Sequence, residues 1–442
     1  MFVPNPTFID KPNLFRSRSR SRWGFERRPN SAKSLPSLVT ILFICLALPW
    51  CSGVNLYFEP EKHTGFYDTF KSHLLKPQDK KHDANYGKGF HNRDNARNSD
   101  VDPDANKNLT QLITSSGYPV EVYTVQTVDG FLLDLHRIPH GRAGPAQSRG
   151  VVFLQHALLS SACDWVMNFA NDSLGFILAD NGYDVWMGNT RGNTYSRRHI
   201  SLSPDDAKFW DWSIDEMAQY DMPAFIDFVL KKTGQPSLSL IGHSQGTMMN
   251  FALLSERPDM EEKVNVFIAL APVAFVGNIV SPIGYLSYMT DEELYTHCGN
   301  KIFLPNDLLI KALVDLFCTE KAYEWICEDI LFLFVGIDLR NLNQSRLDVY
   351  FHHSPSGVSV KDIVHFAQLY RQKNFGKYDY GSPEKNMARY NQSTPPQYDV
   401  TKIKVPVVAF SASRDWLADP TVSSFLSTQL LPFDLRHFNN FL

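Results

Sequence analysis

From residue 108 onward, apolar positions follow two alternating rhythms. Short aliphatic runs at 151–154, 183–187, 238–241, 264–270 and 405–410 have the length of buried strands. Between them lie stretches with helical spacing. Met222, Phe225, Ile226, Val229 and Leu230 share one helical face, and Lys231, Lys232 and Gly234 supply a C-terminal stop. Just upstream, Ser213 with Glu216 reads as a capping box. Alternating segments at 120–125 and 131–136 flank Asp129-Gly130 and predict a β-hairpin. Strands alternating with helices build a mostly parallel sheet with helices on both faces, so the expected fold class is α/β. Residues 273–345 break the alternation: they are helical and apolar, at 308–318 and 330–335 above all. As an insertion they would cap the carboxyl ends of the strands, where open α/β sheets bind ligands. On periodicity alone they read equally well as more core.

The start of the chain follows neither rhythm. Residues 38–50 form an apolar run behind a basic leader, with Pro49 near its end and small residues at Cys51 and Gly53. A spanning helix needs about 20 apolar residues. Residues 1–53 therefore read as leader and secretory signal peptide, with an uncleaved type II anchor as the competing reading. No transmembrane span is expected in the mature chain. Residues 76–107 are polar and nearly free of aliphatics, leaving too little surface to bury. Residues 54–107 are thus a linker or propeptide-like segment, and the folded domain is expected over 108–442.

Composition adds exclusions. With 43% hydrophobic and 13% aromatic residues among 442, the chain is globular. The net charge of −4 conceals a split, since residues 1–36 hold 8 basic and 2 acidic side chains and the rest is acidic. An acidic body gives no electrostatic footprint for nucleic acid, and the Arg-Ser run at 16–22 reads as a disordered leader. Cys45 and Cys51 belong to the signal region; Cys163, Cys298, Cys318 and Cys327 remain, with no C-x-x-C pair to support structural zinc. No metal or other cofactor is expected. Asn108, Asn171, Asn343 and Asn391 open N-x-S/T sequons, plausible glycosylation sites in a secreted chain.

The sharpest chemical signal is Gly242-His243-Ser244-Gln245-Gly246, between a strand-like run and a helical one. A serine on such an elbow is a candidate nucleophile: flanking glycines let strand and helix approach, and the following amide faces a developing oxyanion. Gln155-His156-Ala157-Leu158-Leu159 leaves an early strand, where a second oxyanion donor is needed. In this chain order the catalytic histidine comes last, so His156 reads as a loop-fixing residue. The orienting acid should follow a late strand; Asp415 fits, whereas Asp419 precedes Pro420 and reads as a turn or helix-start residue.

Taken together, these motifs resemble the acid lipase family, the gastric and lysosomal acid lipases and their invertebrate relatives. The likeness runs from Leu109 to the end of the chain. Besides the elbow it rests on His156-Ala157-Leu158-Leu159 with Asp164-Trp165-Val166, Gly188-Asn189-Thr190-Arg191-Gly192-Asn193, and Phe209-Trp210-Asp211-Trp212-Ser213. It also includes Tyr220-Asp221-Met222-Pro223, Tyr378-Asp379-Tyr380-Gly381 and Asp415 with Leu417-Ala418-Asp419-Pro420. The resemblance implies an α/β-hydrolase fold with a lid-bearing cap. It implies a secreted or lysosomal enzyme acting on lipid esters, triacylglycerols or sterol esters, at a lipid–water interface. Ser244 would be the nucleophile, Asp415 the acid, and the Leu158 and Gln245 amides the oxyanion hole. Cys318 and Cys327 match the family's cap disulfide, which leaves Cys163 and Cys298 unassigned.

Two departures stand out. Ala157 replaces the glycine that usually follows this histidine. The family's catalytic histidine lies in a Tyr/Phe-Asn-His-Leu-Asp-Phe segment; here Phe438-Asn439 resembles its start, and Asn440 stands at the histidine's place. His437 is the only histidine after Asp415, 22 residues on and out of register. A truncated C-terminus is the expectation. The alternative is a catalytically impaired lipid-binding protein of hydrolase fold.

Overall fold

The computed structural model describes residues 102–145, 147–279, 281–305, 342–412, 415–418, 426 and 433–438. The signal, most of the linker, the middle of the insertion with Cys318 and Cys327, and Asp419, Asn439 and Asn440 lie outside the described residues. In chain order the strands are β1 (Glu121–Gln126), β2 (Phe131–Ile138), β3 (Val151–Gln155), β4 (Asp184–Gly188), β5 (Arg198–His199), β6 (Leu238–His243), β7 (Val264–Leu270), β8 (Ile302–Phe303), β9 (Val358–Ser359), β10 (Val407–Ala412) and β11 (Phe433–Phe438). The large sheet has the order β1-β2-β4-β3-β6-β7-β10-β11, with β5 paired to the start of β2. From β4 across to β11 every pairing is parallel, and β2 runs antiparallel to β1 and β4. β8 and β9 form a separate two-stranded ribbon.

Two local differences from the sequence expectation have plain causes. The hairpin turns through four residues, 127–130, because Thr127 Oγ1 accepts from Phe131 N at 2.8 Å and Gly130 N donates to Thr127 O at 3.0 Å. Gly130 takes φ +100° there, a value open to glycine. β10 starts after the apolar run begins because Pro406 has no amide hydrogen for the ladder; its carbonyl alone pairs, accepting from Phe267 N at 2.9 Å.

Period-two alternation sorts the core. Val151 and Phe153 of β3 join the cluster that holds α3 (Met222–Thr233) and α4 (Gln245–Glu256). Val152 and Leu154 face the opposite cluster, with α1 (Leu109–Ser115) and α2 (Leu174–Asp180). Each fully buried large apolar side chain contributes about 1.5–3 kcal/mol relative to exposure. The Ser213–Glu216 capping box forms, Ser213 N donating to Glu216 Oε2 at 2.8 Å, and Gly234 ends α3 at φ +68°. Between cap and helix, Met217–Asp221 widens into a π turn.

Between β7 and β10 the chain leaves the sheet. A 3-10 stretch, Pro282–Tyr288, and α5 (Asp291–Cys298) pack on α7 (Val360–Gln372), which follows α6 (Leu347–His353) and β9. The folded chain also starts earlier than Asn108. A 3-10 turn at Pro103–Asn106 packs on α6, where the guanidinium of buried Arg346 pairs with Asp102 at 3.0 Å and Asp104 at 2.7 Å.

Candidate active site

Ser244 lies between β6 and α4 with φ 51° and ψ −117°, a region that costs an L-residue about 1–3 kcal/mol. Neighbouring contacts hold it there. Its N–H donates to Leu270 O at 3.0 Å, and its carbonyl accepts from Thr247 N at 2.8 Å and Thr247 Oγ1 at 2.6 Å. The flanking glycines are sterically required. A Cβ on Gly242 would stand 2.8 Å from Gly246 O, and one on Gly246 would stand 2.6 Å from Gln155 O. That closeness seats the first turn of α4 against the end of β3, from which the expected oxyanion loop departs. Every residue from Gln245 to Ser255 is buried, so α4 has no polar face.

The loop after β3 is fixed by two buried groups. His156 Nε2 accepts from Thr190 N and Asn193 Nδ2, both at 3.2 Å, so Nδ1 carries the hydrogen and donates to Ala157 O at 2.8 Å. Burial pushes this imidazole down to about 4, so it stays neutral and committed to the loop. The Ser160 hydroxyl donates to Asp164, whose carboxyl burial raises to about 6 against the pull of Ser160 and the Ala157 backbone. Leu159 takes φ +58°. Among the described residues, neither the Leu158 nor the Gln245 amide hydrogen is used by another group.

Past β10, buried Asp415 folds its Oδ1 back to accept from Leu417 N at 2.9 Å and Ala418 N at 2.8 Å. The carboxyl ends of the strands line up, His243 beside Leu270, Leu270 beside Phe410, and Phe410 beside Arg436. Ser244 and Asp415 thus leave the same edge of the sheet, two strand spacings apart, or about 10 Å. His437 pairs with Ser411 inside β11, before the strand's last pair. Its backbone is in the sheet rather than on a loop past it.

Two features near this edge have no local sequence signal. Arg191, on the turn after β4, is wholly buried between Asp221, 2.6 Å away, and Asp129, 2.7 Å away, with its guanidinium 4.1 Å over Phe131. The two aspartates hold its charge on, while Arg191 keeps Asp129 below the usual carboxylate range. Asp362, in the first turn of α7, accepts from Gln245 Nε2 at 2.5 Å across 117 residues of sequence. Burial, and then Asp215 and Glu216, push its carboxyl up to about 8.

Elsewhere, Cys163 is buried with its Sγ 3.3 Å from the Tyr195 hydroxyl, and burial raises its thiol to about 11; Cys298 ends α5, half-buried. Asn108, Asn171 and Asn391 are exposed, whereas Asn343 is half-buried and its Nδ2 donates to Asn168 Oδ1 at 3.2 Å. Among the described residues no cluster of His, Cys, Asp and Glu could hold a metal, and no helix is long and apolar enough to cross a membrane.

A mostly parallel sheet with a strained serine between strand and helix at its carboxyl edge defines an α/β hydrolase. Residues 109–169 match the family described as partial alpha/beta-hydrolase lipase region, and residues 150–440 match the alpha/beta hydrolase fold. The rat gastric triacylglycerol lipase is 46% identical over 74% of this chain and 84% of its own length. The human lysosomal acid lipase/cholesteryl ester hydrolase is 46% identical over 75% of this chain and 83% of its own. A solved esterase from Exiguobacterium antarcticum overlaps 72% of this chain and 91% of its own at 14% identity, with a TM-score of 0.42. The chain belongs to the acid lipase family of α/β hydrolases.

Proposed function

We propose that this protein is a secreted or lysosomal lipase that cleaves carboxylic esters of lipids, triacylglycerols or sterol esters, through a serine acyl-enzyme. The observation that carries the reading is Ser244, held at φ 51° on an elbow whose glycines admit no side chain. A fold with no use for an exposed nucleophile has no reason to keep such strain. In this reading Ser244 Oγ attacks the ester carbonyl, and the Leu158 and Gln245 amides receive the oxyanion. A general base takes the Ser244 proton, returns it to the departing alcohol, and then deprotonates the water that releases the fatty acid. Asp415 orients the base, the insertion at 273–345 forms the lid-bearing cap, and Cys318–Cys327 braces it. The signal at 1–53 and glycosylation at exposed sequons belong to the same secretory reading.

A second reading, a catalytically impaired lipid-binding protein, is favoured by one observation: His437 stands within β11, and Asn440 occupies the motif's histidine position. One experiment separates them. Purified protein is treated with a fluorophosphonate probe and, separately, with a long-chain ester. Labelling at Ser244 and release of fatty acid support the lipase; a well-folded sample that does neither sinks it and leaves the binding protein.

A further inference from the structure

We propose that Asp362 is a positioning residue, which through the side chain of Gln245 fixes the backbone amide that receives the oxyanion. The inference rests on the lipase reading and concerns a contact that no local motif announces. Gln245 is the first residue of α4, directly after strained Ser244, and is buried. Its side-chain amide donates to Asp362 Oδ2 at 2.5 Å, with no other partner among the described residues. Asp362 is itself immobilised. Its N–H donates to Ser359 Oγ at 3.0 Å, and that hydroxyl donates to Trp212 O at 2.5 Å. A continuous chain of hydrogen bonds therefore runs from the Trp212 backbone through α7 to the residue beside the nucleophile.

Packing does not account for an acid here. Asp362 has no exposed surface, and besides Gln245 only the Ile214 backbone amide reaches its carboxyl, a costly arrangement for a carboxylate. It faces Asp215 and Glu216 from the turn at Ile214–Glu216, and His365 lies one turn along α7, its Nδ1 3.9 Å from Asp215 Oδ1. Burial above all, and then the nearby acids, keep Asp362 a neutral acid. A neutral acid accepts from Gln245 without adding negative charge beside a developing oxyanion.

The test compares Asp362→Asn, Asp362→Leu and Gln245→Ala in purified protein. Asparagine keeps an acceptor oxygen in place; leucine removes it. In folded Asp362→Leu, kcat on a long-chain ester is expected to fall about tenfold or more with KM changed less than about twofold. Asp362→Asn should stay within about threefold of wild type, and adding Gln245→Ala to Asp362→Leu should cost little more than either alone. An unchanged kcat in folded Asp362→Leu, or an Asn variant as impaired as the Leu one, overturns the proposal. If the wild type turns over no ester, the lipase reading fails and a second readout decides the positioning claim. Hydrogen exchange at Thr247 and Met248, whose amides bond Ser244 O, should then accelerate in Asp362→Leu but not in Asp362→Asn, relative to α3. Equal exchange in all three proteins overturns it.

Discussion

The Ser244 backbone at φ 51° occupies a region that glycine enters without a side-chain penalty, so the hydroxyl is held there at a cost in stability. Ser244→Gly should therefore abolish probe labelling while raising stability by about 1 kcal/mol in urea unfolding. Gly246→Ala should act in the opposite sense. Its new methyl would meet Gln155 O at 2.6 Å and His156 O at 2.8 Å, both backbone atoms, so the elbow must shift and stability should drop by at least about 2 kcal/mol. The sequons also divide at this scale. Asn108, Asn171 and Asn391 are exposed, while the amide nitrogen of Asn343 is engaged with Asn168. Mass mapping of glycopeptides should find the first three occupied and Asn343 largely bare.

At the scale of elements, Arg346 joins the Pro103–Asn106 turn to the start of α6. Arg346→Met leaves Asp102 without its cation and Asp104 with Lys107 alone, and should cost about 1–2 kcal/mol, with exchange rising first across 102–106. That staple was not legible in the sequence, because its partners stand 244 and 242 residues apart. The same holds for Gln245 with Asp362 and for Arg191 with Asp221 and Asp129: side chains paired by the fold leave no spacing to read. What was legible is local. Strand runs showed as short, mainly apolar runs because β3, β4 and β6 are covered on both faces, and the elbow showed because its two glycines and serine fall within five consecutive residues. Boundaries shifted where one atom decided them, as at Pro406, which has no hydrogen to donate.

For the molecule as a whole, its buried titratable groups set a stability profile. His136, His156 and His243 are each desolvated to about 4, below the unfolded value of about 6.5, so the unfolded chain binds more protons between those limits. Stability they contribute is lost as pH falls from 6.5 toward 4. Asp164 and Asp362 are raised to about 6 and about 8, so here the folded chain binds more protons above the unfolded value of about 3.9. Their contribution is lost as pH rises through those values. Three histidines outweigh the two acids up to about pH 6.5, and Asp362 acts alone from there to pH 8. The midpoint of urea unfolding should therefore peak near about pH 6–7 and decline toward pH 8. Asp362→Asn, which does not titrate, should flatten the alkaline decline; a profile unchanged by that substitution would show that another group governs it.

The order of the strands has a stereochemical consequence. β3, source of the oxyanion loop, lies on one side of β6, and β7 and β10, which lead to Asp415, lie on the other. Under the proposed roles, the carbonyl oxygen must point to one flank and the proton-transfer machinery to the other, with Ser244 between. An ester can then present only one of its two prochiral faces to the serine. The mirror-image approach would require the strand order itself to be reversed, which right-handed crossovers forbid. The face of the ester carbonyl that is attacked is thus rooted in the handedness of the main chain, before any pocket side chain contributes.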